Sequence, residues 1–164
     1  MPLDQVTIRR LGRPGDLGWV IQAHGEVYAD EFGWDLDFEA LVATIVSDFA
    51  TAPPSDRQAA WIAERGCDRV GCVFCVPVDE RVAQLRILLV DPSARGIGLG
   101  ARLVDECVTF AGTQGYELVR LWTNHPLAAA RHLYLAKGFT LVSEDPHHSF
   151  GADLVGQVYE LALA

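Results

Sequence analysis

The run "LLVDPSARGIGLGARLVDE", Leu88 to Glu106, places glycines at 96, 98 and 100 between an apolar stretch and an amphipathic one. Glycine at that density lowers helix propensity, so helix stability does not account for it. A strand has to end before Asp91. A helix has to begin near Gly98, because Leu99, Leu103, Val104, Cys107, Val108 and Ala111 recur at helical spacing. The apolar run "ELVRLWT" follows as another strand. Strand, glycine loop, helix and strand in that order allow one parallel crossover near the middle of the chain.

The flanking segments build a sheet around that unit. "VTIRRL", Val6 to Leu11, alternates as a first strand. After "RPGD", Asp16 is placed to cap a helix running to about Phe32, with Leu17, Val20, Ile21, Val27, Tyr28 and Phe32 on one side. A second helix carries Phe38, Leu41, Val42, Ile45 and Phe49, with Asp35 or Asp37 near its start and "TAPPSDR" at its end. "QAAWIAE", "VGCVFCVPV" and "VAQLRILLV" are joined by short turns, which predicts an antiparallel meander. Beyond the crossover, "HPLAAARHLYLAKG" is a short helix stopped at Gly138. The last strands are "FTLVSE" and "QVYELAL", with "DPHHSFGADLVG" expected as a polar loop between them. The expectation is one α/β domain over residues 1–164, a mixed sheet of about seven strands with about four helices against it.

Charge and composition narrow the function. Twenty-two acidic residues against thirteen basic ones give a net charge of −9, which argues against a nucleic-acid partner. "MPLDQVTIRR" has no apolar signal core and no run is of membrane-spanning length, so no membrane partner is expected and cytoplasm is the default compartment. Cys72 and Cys75 form a C-x-x-C, but on a strand they face opposite ways, and no second pair completes a zinc site. Buried thiols are expected there. No metal is expected anywhere, the adjacent His147 and His148 being a poor chelating pair.

The glycine loop itself has several readings. Gly96 to Ala101 fits the dinucleotide pattern G-x-G-x-x-A, yet the next strand ends "LWTN" with no acidic residue at its tip. No Lys-Ser/Thr pair follows, so it is not a P-loop. Physically, bare N–H groups at a helix N-terminus with Arg95 beside them make a cradle for a pyrophosphate. A plain glycine-rich turn is the bland alternative.

"LLVDPSARGIGLGARLVDECVTFA" resembles motif A of the GNAT acyltransferase superfamily, Arg/Gln-x-x-Gly-x-Gly/Ala, with Arg95, Gly98 and Gly100 in register. "AAARHLYLAKGF" resembles the second signature of that family, with Ala130, Tyr134, Gly138 and Phe139 in place. With "HGEVYADEFGWD" and "PHHSFGADLVGQVYEL", the chain looks most like the acetyltransferase half of proteins that fuse a MarR-type DNA-binding domain to a GNAT domain. The resemblance implies acetyl-CoA as acyl donor, its pyrophosphate on Arg95, Gly96, Ile97, Gly98, Leu99, Gly100 and Ala101. It implies a pantetheine arm along Leu88, Leu89 and Val90, where the fourth and fifth strands splay, and an oxyanion donor from a backbone N–H near Val90. Asn124 is placed either to reach that arm or to cap the helix after Pro126. Leu127 stands where many members carry an asparagine.

Tyr134 aligns with the general acid of that family, and a phenol suits the task because it keeps its proton at neutral pH. The base is less plain, since the fourth strand offers Gln84-Leu85-Arg86-Ile87 and no carboxylate. His24 and Glu31 fall on the inward face of the first helix and are the candidates, with Tyr28, Trp34 and Trp122 as possible pocket walls. The implied reaction is direct acetyl transfer in a ternary complex to a primary amine of a small acceptor. A non-catalytic acyl-CoA sensor and a dinucleotide oxidoreductase are the rivals, and a homodimer is possible.

Overall fold

A computed structural model describes residues 5–164. The elements are β1 (Val6–Arg10), α1 (Asp16–Phe32), α2 (Leu36–Thr51), β2 (Ala59–Arg65), β3 (Asp68–Pro77), β4 (Val82–Val90), α3 (Leu99–Thr113), β5 (Leu118–Asn124), α4 (Ala128–Ala136), β6 (Thr140–Ser149) and β7 (Ala152–Ala162). They form a mixed α/β fold with a seven-stranded sheet in the order β1-β2-β3-β4-β5-β7-β6. Every neighbouring pair is antiparallel except β4 and β5. An antiparallel meander followed by a single parallel crossover is not the doubly wound parallel sheet of a dinucleotide fold.

Each sheet face is covered by different helices. Leu99, Leu103, Val104, Cys107 and Ala111 of α3 bury against Val73, Cys75, Leu85 and Val119 of the sheet. Val20 and Ala23 of α1 and Val42 and Val46 of α2 bury against Ile62, Cys72, Phe74 and Leu89 on the other face. Cys72 and Cys75 thus belong to opposite cores, because odd spacing on a strand points side chains to opposite faces.

Two features of this sheet create an opening. Cys72 pairs with Leu89 but Phe74 pairs with Arg86, so β4 carries one extra residue. The bulge is at Ile87, whose φ of 43° is left-handed for a β-branched residue. Parallel pairing of β4 with β5 then stops at Leu85–Leu121, while β5 stays on β7 as far as Asn124 and Gly156. The strands part, and Leu88 to Val90 face a cleft on the side where β5 would lie.

Three local expectations are corrected. Gly15, not Asp16, is the α1 N-cap. The Asp16 carboxylate, fully buried, accepts from Arg9, Arg69 and the N–H groups of Gly12 and Arg13. These donors hold its pKa far below the usual carboxylate range, with the Arg9 guanidinium the largest cause. The polar "DPHHSFGADLVG" is not a loop, because β6 and β7 run through it to a tight turn at Phe150 and Gly151, both with positive φ. Its pairing is backbone ladder from Asp145–Gly156 to Ser149–Ala152, which polar side chains on an exposed face do not oppose. Finally, Leu127 rather than Asn124 caps α4.

Candidate active site

The glycine loop opens into a cleft of about 400 Å³ bounded by α1, β4 and α4. Gly96 and Gly98 have φ near 80°, and a Cβ on either would meet nothing within 4 Å, so both face open space. Gly98 is the α3 N-cap and offers no side-chain cap. The first helical hydrogen bond runs from Arg102 N–H to Gly98 C=O at 3.2 Å. The N–H groups of Leu99, Gly100 and Ala101, like those of Gly96, Ile97 and Gly98, therefore donate to no acceptor among the described residues. That is a concave row of donors at the positive end of a helix. Gly100 has a packing duty besides, since a Cβ there would meet Leu133 Cδ2 at 3.0 Å.

Of the coenzyme residues read from the sequence, Leu88, Leu89, Val90, Arg95, Gly96, Gly98, Leu99 and Gly100 line this cleft. The Ile97 side chain packs into the α3 core instead, and only the backbones of Ile97 and Ala101 belong to the donor row. Asn124 lies elsewhere. It is buried, and its Oδ1 accepts a 2.8 Å hydrogen bond from His147 Nε2.

Glu31 also lines the cleft, where it forms an ion pair with Arg95. This corrects its expected place on the acceptor side. His24 and Glu31 do share a helix face, but seven residues advance the helix by about 10 Å. One therefore sits over the core and the other over the glycine loop. Glu31 is engaged by the Arg95 guanidinium and is not among the residues of the second pocket.

That second pocket, about 220 Å³, adjoins the first and shares Tyr28, Leu88, Leu127 and Ala130 with it. Its wall is aromatic. Trp34, Phe38 and Phe150 pack with centroids 4.9 to 5.1 Å apart, and Tyr28 lies 4.7 Å from Phe38. The wall holds because Asp35, the α2 N-cap, also donates its N–H to the carbonyl of Phe150 at the hairpin tip, at 3.1 Å. Tyr28, Trp34 and Trp122 all line this pocket.

Two titratable groups face it from the cores. Tyr134 is buried, its hydroxyl makes no hydrogen bond among the described residues, and burial pushes its phenol well above the ordinary value. His24 Nδ1 lies 2.7 Å from the carbonyl of Val20, so Nδ1 carries the proton and Nε2 a lone pair. Nε2 is buried with no partner among the described residues. Burial lowers the His24 pKa to about 4 against the opposing pull of the Val20 and Ile87 carbonyls. The ring is therefore neutral at physiological pH and accepts rather than donates at Nε2.

Sequence reasoning missed Gln84 and Arg86, which line this pocket from β4. Their two-residue spacing was the available signal, since it puts both on one strand face. It also missed Phe150. His147 stands beside the pocket, tilted against Trp122 at 5.6 Å, and His148 is exposed and paired with Asp153. Among the described residues no cluster of three His, Cys, Asp or Glu side chains could hold a metal, and no helix is long and apolar enough to cross a membrane.

Comparison with known proteins agrees with this geometry. The chain is 32% identical over 152 residues to the mycothiol acetyltransferase of Sanguibacter keddieii, covering 88% of this chain and 47% of that protein. It is 37% identical over 112 residues to N-acetyltransferase 8B of Rattus norvegicus, covering 65% of this chain and 50% of that one. The chain thus spans about half the length of these relatives. Among solved structures, yncA from Salmonella typhimurium, determined with its cofactor acetyl-CoA, superposes with a TM-score of 0.75 at 18% identity, over 98% of this chain and 95% of that one. The sequence profile of the Acetyltransferase (GNAT) family matches residues 19–139, and with the splayed β4–β5 cleft and glycine loop it places the chain as a member of the acetyltransferase (GNAT) family.

Proposed function

We propose that this chain is an acetyl-CoA-dependent N-acetyltransferase acting on the primary amine of a small acceptor by direct transfer in a ternary complex. One observation carries the reading: the unpaired N–H row opens into a cleft that meets an aromatic pocket at Tyr28, Leu88, Leu127 and Ala130. The relatives named as acetyltransferases, and the acetyl-CoA in yncA, support it. Bound in the cleft, acetyl-CoA would supply a thioester carbon to an amine, the C–N bond forming as the C–S bond breaks.

The chain's own groups do the rest. The N–H groups from Gly96 to Ala101 hold a pyrophosphate, and the open edge of Leu88 to Val90 orients an extended amide arm. Tyr134 Oη keeps its proton at neutral pH and is the donor for a departing sulfur. An acceptor amine in the second pocket loses water on entry, and burial beside aromatic rings disfavours its ammonium form. His24 Nε2 accepts a hydrogen bond from that amine, directly or through water, and replaces Glu31 in this role. Cytoplasmic residence and a possible homodimer remain part of the reading. The likeness to MarR-fused chains rests only on the two segments that suggested it.

Calorimetric titration with acetyl-CoA tests the cleft. The wild type should bind, and the Arg95→Ala, Gly98→Val double variant should not. Thiol release with a panel of amines tests the transfer, and Tyr134→Phe should lower kcat by about a hundredfold with coenzyme affinity unchanged. Coenzyme binding without turnover on any amine would favour a sensor and sink the transferase reading.

A further inference from the structure

Strand geometry puts Gln84 and Arg86 on one face of β4, under α2 and against the second pocket. The guanidinium of Arg86 is half-buried, and nothing among the described residues holds it. Each of the other twelve basic side chains has a hydrogen bond, an ion pair or an aromatic ring beneath it. Arg86 has none of these among the described residues. Asp48 on α2 acts on it only from beyond ion-pair distance. Among the described residues no carboxylate lines the pocket, and its other polar groups are Gln84, Thr123, Asn124, the tyrosine hydroxyls, the indole N–H groups and the unpartnered Nε2 of His24.

A half-buried cation without a partner is costly unless something supplies the anion. A guanidinium presents a planar fork that matches a carboxylate with two parallel bonds. The pocket is also smaller than the roughly 300–1,000 Å³ of sites for drug-sized ligands. We infer that the acceptor is a free amino acid, its carboxylate bound by Arg86 and its side chain against Trp34, Phe38 and Trp122. The inference rests on the proposed transferase reading for the place of the amine. It separates a free amino acid from a polyamine, which has no anion, and from a protein N-terminus, whose first carboxyl group is an amide.

The test separates binding from turnover. With coenzyme A present, binding of the common L-amino acids is measured by calorimetry beside that of their primary amides, which keep the amine and side chain but lose the charge. At least one amino acid should bind about tenfold or more tightly than its amide. Arg86→Gln should abolish that preference, with coenzyme affinity on the same variant reporting that it has folded. Arg86→Lys, which keeps the charge but not the fork, should fall between. Amides that bind as well as acids throughout, a preference that survives Arg86→Gln, or tighter binding of an amidated peptide with a free N-terminus would each overturn the inference. Carboxylate-selective binding with no thiol release from acetyl-CoA would leave Arg86 as an amino-acid carboxylate site but overturn the transferase reading, and with it the role of that amino acid as acceptor.

Discussion

His24 shows how far a single residue can be read from its neighbours. Its helical spacing marks it as inward-facing, and the structure agrees. Its chemistry depends on the Val20 carbonyl that fixes the tautomer and on the burial that lowers its pKa to about 4. Neither is visible in a sequence. The consequence for stability has a definite sign. As pH falls through 6.5 the unfolded chain takes up a proton at this ring, while the folded chain does not until about pH 4. Stability is therefore lost across that window, by about 2 kcal/mol at pH 5, and this ring removes no more below pH 4. Urea denaturation at neutral pH and at about pH 5 should show a smaller loss in His24→Gln than in the wild type. Arg86 is the converse case. Its residue type and strand position were in plain view, but its lack of a partner is a property of the packed molecule.

At the scale of elements, the crossover was the most legible part of the chain. Glycine spacing and the stripe from Leu99 to Ala111 define it from within about twenty-five residues, so no distant contact has to be known. The β6–β7 hairpin was not, because His147, His148, Asp153 and their polar neighbours look like a loop when the pattern is taken as a measure of burial. They are a ladder whose outer face meets solvent. The pairing of Glu31 with Arg95 was hidden for a different reason. Helical angle locates a residue around an axis, whereas its depth along the axis decides which cleft it meets. That pair should compete with an incoming pyrophosphate for the guanidinium. Glu31→Gln is expected to tighten acetyl-CoA binding several-fold, more so at low salt than at high, and calorimetry at two ionic strengths checks it.

Across the whole molecule, the second pocket is assembled from parts far apart in sequence. The turn at Phe150 closes onto the α1–α2 corner through its carbonyl and through Trp34 and Phe38, while the coenzyme cleft lies on the other side of Tyr28. Phe150→Ala should cost about 3 kcal/mol of stability. It should raise the KM for the acceptor while the coenzyme dissociation constant stays within about twofold, an asymmetry that initial-rate kinetics against each substrate would show. A merely global loosening would weaken both together.

The contact between Glu31 and Arg95 has a temporal meaning as well. It ties the end of α1 to the glycine loop, and the same helix carries Tyr28 and His24 into the second pocket. A donor molecule that displaces Glu31 releases one end of the helix that forms the acceptor's wall. The two substrates are then energetically coupled, and each should change the equilibrium affinity of the other by the same factor.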